Sequence, residues 1–286
     1  MQFVAPTALE YFATLVAEDA SLSVLEAAVA IAQDEFPQVD VQGVLAEVDR
    51  LADRLRRRIP ADAAPLQRLR LLNHYFFDEL GFAGNVNDYY NAANSYLPEV
   101  LRTRRGIPIT LAVLYVELAS QAGLSAQGVS FPGHFLVKLK MPRGEVILDP
   151  FTGQSLSREE LEEKLQPLRR RHGLRADDEA PLSLFLQSAA PREIVARLLR
   201  NLKAIHRNAG DGPRLLAVQE RLVLLLPWDW VERRDRGLAH AELGHEQAAR
   251  SDIAEYVRHC PEAADADDLR RRWLPGQRAE AGRRLH

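Results

Sequence analysis

The stretch from Gly106 to Pro150 limits the fold most tightly. It opens with Gly106-Ile107-Pro108-Ile109-Thr110 ahead of an apolar run to Ala122. Proline suits the first turn of a helix, where its missing N–H leaves no bond unmade, and Gly123 suits the left-handed position that ends one. Gly128 to Phe131 reads as the next extended segment. Phe135, Val137 and Leu139 then alternate with Leu136, Lys138 and Lys140, the period of a strand. Met141-Pro142-Arg143-Gly144 reads as a hairpin connection to Glu145–Leu148. The chain therefore presents, in order, a helix start, a histidine (His134) before one strand and an aspartate (Asp149) closing the next.

The flanking regions read as helical. Thr7 and Glu10 have the spacing of a capping box, as do Ser157 and Glu160 at the head of a helix expected to reach Leu168. Leu22, Leu25, Val29 and Ala32 recur at helical spacing, as do Val44, Val48, Leu51 and Leu55. A further stripe of Leu66, Leu69, Leu72, Phe76 and Leu80 stops at Gly81. Residues 81 to 98 are dense in Gly, Asn and Asp, with Tyr89, Tyr90 and Tyr96 among them, and read as a polar aromatic loop. Residues 169 to 190 read as a linker with a short helix. From about residue 191 the pattern is helical and repeats: Gly210 and Gly244 are 34 residues apart, and so are Pro227 and Pro261. A helix-turn-helix period of that length is the tetratricopeptide signature. The second copy matches better, with Gly237 and Ala249; the first carries Lys203 and Leu215 at those positions. Two copies are too few for a long free superhelix; they are expected to dock on the N-terminal domain, capped by a helix around Asp265 to Trp273.

Composition narrows the function classes. Hydrophobic residues make up 47% and charged residues 27%, as in a folded globular chain. The net charge is −3, so nothing in the bulk electrostatics favours nucleic acid or an anionic membrane as partner. One cysteine, Cys260, excludes an internal disulfide, and no signal-peptide pattern opens the chain, so a cytoplasmic location is expected. No apolar run approaches a membrane span. Glycine-rich phosphate loops, paired-cysteine motifs and HExxH are missing, and His240 and His245 lack a ligand set, so no cofactor or metal is expected.

Helix start, histidine and aspartate follow in the order of a papain-like Cys-His-Asp site. In such sites the cysteine sits at a helix N-terminus, where the dipole favours thiolate; the histidine takes its proton and a carboxylate orients the histidine. The segment resembles the transglutaminase-like fold, and by its glycine register Gly106 and Gly123 place Pro108 at the nucleophile position. Proline offers neither nucleophile nor backbone donor. His134 matches the family's histidine and Asp149 its aspartate. The closer resemblance is to the Sir-B family of bacterial proteins, which join a transglutaminase-like domain to tetratricopeptide repeats. It is carried by Phe76-Phe77 with Leu80-Gly81-Phe82, by Asn94-Ser95-Tyr96-Leu97 and Val100-Leu101, by Arg105 to Thr110, by Pro132 to Val137, and by Asp149-Pro150-Phe151.

That resemblance implies an α+β fold, mostly helical. A papain/transglutaminase-like core with a small antiparallel sheet is joined to C-terminal TPR-like helical hairpins. Residues 1–185 are expected to hold the helical N-terminal region and the core, and 186–286 the repeats. His134 reads either as a base or ligand-binding group or as a histidine satisfied inside the fold. Asp149 reads either as its orienting carboxylate or as an Asp-Pro turn. Thr110, one turn into the helix, reads as a structural back-bonder before a replacement nucleophile. Pro108, Asn94, Ser95, Tyr96 and Thr110 are the candidates for the cleft. Trp228, Trp230 and Cys260 read as packing. The expected function is a non-catalytic interaction or regulatory module that takes a protein or peptide partner through the repeats and the cleft. The alternative is a hydrolase or amide-processing enzyme using His134 and Asp149 without a cysteine.

Overall fold

A computed structural model describes residues 6–171 and 181–275; the linker expected over 169–190 lies partly outside them. The chain divides into two compact units, Met1–Asn201 and Leu202–His286.

The first unit begins with helices α1 (Ala8–Leu15), α2 (Val24–Ile31), α3 (Val41–Arg56) and α4 (Pro65–Asn73). Thr7 and Glu10 form the reciprocal capping box expected of them. α4 runs on as a π-helical turn, His74–Glu79, to Gly81, whose φ of +71° ends the apolar stripe. The polar loop holds β1 (Ala83–Gly84), which pairs in parallel with β2 (Arg105–Gly106) beyond the loop, and a 3-10 turn over Ala92–Ser95.

Between them α5 (Leu97–Thr103) ends on Arg104, a non-glycine residue at φ +59°. The chain then enters α6 (Pro108–Gln121) with Pro108 in its first turn. Ten residues of α6 are buried, including Leu111, Leu114, Tyr115 and Leu118, so it is the central helix of the unit. Gly123, at φ +76°, follows its C-terminus as the sequence predicts.

Four antiparallel strands follow in sequence order: β3 (Ala126–Val129), β4 (Leu136–Met141), β5 (Gly144–Asp149) and β6 (Gln154–Leu156). Met141 pairs with Gly144, which makes Pro142-Arg143 the two-residue connection. β6 was not evident in the sequence, because three residues are too short for alternation to register. Helix α7 (Arg158–Arg171) starts at the Ser157–Glu160 capping box. Val129, Phe131, Leu136, Ile147, Leu161 and Leu165 bury the sheet against α7, with Leu182 of α8 (Leu182–Phe185).

From Pro191 the described chain is helical to Trp273, as expected. α9 (Pro191–Ala209), α10 (Gly212–Leu225), α11 (Trp230–Glu242) and α12 (Glu246–His259) are followed by α13 (Ala266–Trp273). Gly210 and Gly244 both have positive φ, +68° and +77°, and each occupies the tight turn between two helices. Cys260 packs at the edge of the cluster of Ile253, Tyr256, Val257 and Leu269.

Candidate functional site

His134 follows the turn Pro132-Gly133, where Gly133 takes φ +69°. Asp149 ends β5, one strand over: Val137 in β4 is the register partner of Leu148, so the start of one strand lies beside the end of the next. His134 Nε2 sits 2.8 Å from Asp149 Oδ1. The same carboxylate oxygen accepts the Phe151 N–H at 2.9 Å, the Asx-turn geometry of an Asp-Pro-Phe corner. Asp149 thus holds the imidazole and shapes the turn, so both readings of it apply. Burial pushes its carboxyl pKa up. The bond to His134, its charge, the Phe151 N–H and the more distant Lys164 outweigh that and hold the group below its ordinary value. With the carboxylate ionised, Nε2 of His134 donates and Nδ1 is the nitrogen left to the cavity.

Two cavities share His134 and Gly133. One, of about 70 Å³, is lined by Tyr89, Ile107, Pro108, Ile109, Phe135, Arg197 and Asn201 as well. The other, of about 330 Å³, is lined also by Phe131, Pro132, Lys164, Pro167 and Leu168. Pro108 and His134 therefore wall one small space, the relation between nucleophile position and histidine implied by the family's register. The larger cavity is at the lower end of the size range of small-molecule sites.

Arg197 and Asn201 are four residues apart and so share one face of α9. Arg197 donates to Ser130 Oγ at 2.6 Å, to Phe131 O at 3.3 Å and to His134 O at 2.7 Å, and lies 5.5 Å from the centre of the Phe135 ring. One guanidinium thus pins the loop that carries His134. Sequence reasoning passed it over: the i,i+4 pair was visible, but its opposite partner is a loop more than sixty residues earlier in the chain.

Asn94, Ser95 and Tyr96 do not line either cavity beside His134. Asn94 is buried, donating to Asp88 O at 2.7 Å and Tyr89 O at 3.1 Å while accepting from Asn85 at 2.9 Å. It braces the polar loop and so places Tyr89 in the cavity wall. Ser95 accepts a bond from Asn201 at 2.7 Å. Tyr96 packs edge-on against Phe36. Thr110 is fully buried: its hydroxyl accepts the Ile107 N–H at 3.1 Å and lies 2.8 Å from Asn94 O. It joins the start of α6 to the loop and offers no free nucleophile. Thr110→Val, nearly isosteric, is expected to cost about 1–3 kcal/mol by leaving a buried donor and acceptor unpaired. Urea unfolding measures this, and a change within 0.5 kcal/mol, about the noise for surface positions, would contradict the bracing role.

No group of three or more His, Cys, Asp or Glu residues among the described residues is placed to hold a metal. No helix among them is long and apolar enough to cross a membrane.

Comparison with known sequences agrees with this architecture. The family model for the transglutaminase-like superfamily matches residues 42–200, more than half of the chain, and a tetratricopeptide-repeat model matches 202–273. The chain belongs to the transglutaminase-like superfamily. Within it, the chain is similar to a UPF0162 protein of Xylella fastidiosa, 36% identical over 254 residues that cover 88% of this chain and 89% of that one. It is 31% identical over 231 residues to a UPF0162 protein of Pseudomonas aeruginosa, covering 81% and 82%. It is 28% identical over 240 residues to protein SirB1 of Salmonella typhimurium, covering 82% and 85%. The resemblance to the Sir-B family is thus borne out. No solved structure matches the chain.

Proposed function

We propose that this chain is a non-catalytic protein-interaction or regulatory module, in which a transglutaminase-like cleft has given up covalent chemistry and works beside tetratricopeptide repeats. The observation that carries this reading is Pro108 at the first turn of α6, walling the same cavity as His134. The position where a thiol hydrolase needs a thiolate holds a ring with no heteroatom to deprotonate. Cys260, the only cysteine, belongs to the repeat unit and packs against apolar side chains. The test is incubation of the pure full-length protein with glutamine-donor, amine-acceptor and peptide-amide substrates. No turnover above buffer is expected; robust turnover abolished by His134→Ala would overturn the reading.

The intact His134–Asp149 pair favours one alternative, an enzyme that activates water or a substrate group directly. Asp149→Asn separates the two. As a structural element, Asp149 is expected to contribute about 1–3 kcal/mol, lost in the variant at neutral pH. Its folded pKa lies below the unfolded value of about 3.9, so the unfolded state takes up the proton first on acidification. The stability difference between wild type and variant is therefore full above that range and shrinks as pH falls through the folded value. Urea unfolding at stepped pH reads it directly. An unchanged stability profile together with collapse of a measured activity would select the enzyme.

A further inference from the structure

The cavity over Pro108 contains a cation that the fold leaves unpaired. The acceptors that meet Arg197 are Ser130 Oγ, Phe131 O and His134 O, all neutral, and its other neighbours include the Phe135 ring and the Tyr89 phenol, which favours its charge. Among the described residues no carboxylate pairs with it. A guanidinium has five N–H donors, and these three bonds leave Nε–H and one Nη2–H without a protein acceptor. Burial lowers its pKa, so the site holds a positive charge that lacks both full hydration and a counter-charge. The other groups in the wall have matching chemistry. His134, when doubly protonated, presents Nδ1–H, the start of α6 presents the positive end of a helix, and Asn201 contributes a side-chain amide with a second Nδ2–H beside the one given to Ser95. Ile107, Pro108, Ile109 and Phe135 supply apolar walls, which strengthen a charged contact by excluding water. A space of about 70 Å³ corresponds to about two waters. It suits one small planar anionic group and does not admit a peptide segment.

We propose that this cavity is a carboxylate-binding site, in which Arg197 receives a carboxylate over Pro108, where a catalytic relative would hold its nucleophile, and His134, doubly protonated in the bound state and held by Asp149, donates to it through Nδ1–H. Planar two-donor recognition by a guanidinium matches carboxylate geometry. Exchange of the family's thiolate for proline removes the negative charge that the positive surroundings would stabilise, and an incoming carboxylate restores it. The ligand's source is a chain terminus, an acidic side chain or a free acid, all sharing this chemistry. The inference rests on the cleft binding its ligand rather than reacting with it.

The test uses the uniformly nitrogen-15-labelled full-length protein, titrated with sodium acetate against sodium chloride at constant ionic strength. The His134 ring nitrogens and the Arg197 Nε are followed by NMR. Saturable shifts of both signals with acetate alone are expected, and their absence overturns the proposal. Inorganic phosphate binding as tightly as acetate overturns the carboxylate assignment. Short peptides then locate the source. A free C-terminus that competes with acetate while its amidated form does not supports a chain terminus, and competition by an amidated peptide bearing aspartate supports a side chain. Arg197→Gln is expected to weaken acetate binding about ten- to hundredfold, the loss of a charge-assisted pair. Arg197 also pins the His134 loop, so Asn201→Asp, which leaves that pin in place and adds a competing negative charge, is the second variant. It is expected to weaken acetate by a similar factor, and undiminished binding in both variants overturns the site. If a bound peptide is instead cleaved, the interaction-module reading fails while the site stands.

Discussion

Replacing Lys203 by methionine is expected to destabilise the repeat unit by about 3–5 kcal/mol. Lys203 Nζ forms an ion pair with Glu232 and lies 2.7 Å from Asp235 Oδ2, and both acids are less than a tenth exposed. Arg207 and Arg234 also reach Asp235, at 3.0 and 2.7 Å, so that acid keeps partial compensation when the lysine is lost. Glu232 loses its ion pair with Lys203, and removing one partner of a buried ion pair is the costly outcome. Methionine keeps the length and apolar stem of lysine, so packing changes little and the effect reports the charge. All three tryptophans, Trp228, Trp230 and Trp273, lie in this unit, so their fluorescence during urea unfolding of the full chain reads it selectively. Adding Glu232→Gln to the variant is expected to recover part of the loss, since the buried carboxylate that faced Lys203 is then neutral. Burial raises the Asp235 carboxyl pKa, but Lys203 and the two arginines hold it below its ordinary value. Its contribution is accordingly present above the ordinary carboxylate range and is lost as pH falls through the folded value. A cost under about 1 kcal/mol at neutral pH, the scale of an exposed ion pair, would show that the network is solvated.

This network also shows where sequence reading stops. Against the tetratricopeptide pattern, Lys203 reads as a defect, standing where the second copy has Gly237. At Gly237 a β-carbon would lie 3.0 Å from Asp252 Cβ and 3.1 Å from Ile253, so close helix approach explains the glycine. In the first copy the same position carries a side chain that reaches into α11. The period was legible because helix caps and turns repeat locally. The ionic substitution was not, because its partners lie about thirty residues on and belong to no motif. The same division runs through the candidate site. Pro108, His134 and Asp149 stand in a recognisable order, since each occupies a structurally restrictive local position: a helix start, a glycine turn and an Asp-Pro corner. Arg197 and Asn201 carry no local signal, and only folding brings them to that space. Asn94 and Thr110 were visible as polar residues near the cleft, but whether such groups face a cavity or bond to backbone depends on tertiary contacts. Here both bond to backbone.

Gly84→Ala is expected to cost about 3 kcal/mol, at the upper end for an overpacked site. A β-carbon at Gly84 would lie 2.3–2.4 Å from three atoms of the Phe151 ring, well inside contact distance. The backbone that carries the Phe151 ring is held in place. Its N–H is tied to Asp149 Oδ1, its carbonyl accepts the Gly84 N–H at 2.9 Å, and Pro150 restricts the backbone before it. The next residue, Asn85, bonds through its N–H to Gly106 O at 3.0 Å, two positions before Pro108. The Gly84 backbone therefore joins the Asp149 corner to the entry of α6, and displacing it disturbs both sides of the candidate site. Gly81→Ala is the informative control. Gly81 has φ +71°, but a β-carbon there would meet no atom within 4 Å, so its cost is backbone strain alone, about 1–2 kcal/mol. Urea unfolding followed by circular dichroism measures both variants, and the His134 ring nitrogens, observed by NMR in the folded proteins, measure the site. If close packing governs, Gly84→Ala shows the larger stability loss and shifts the His134 signals, while Gly81→Ala leaves them in place. Equal losses with His134 unmoved would mean that Phe151 turns aside freely and that β1 does not couple the aspartate corner to the helix start.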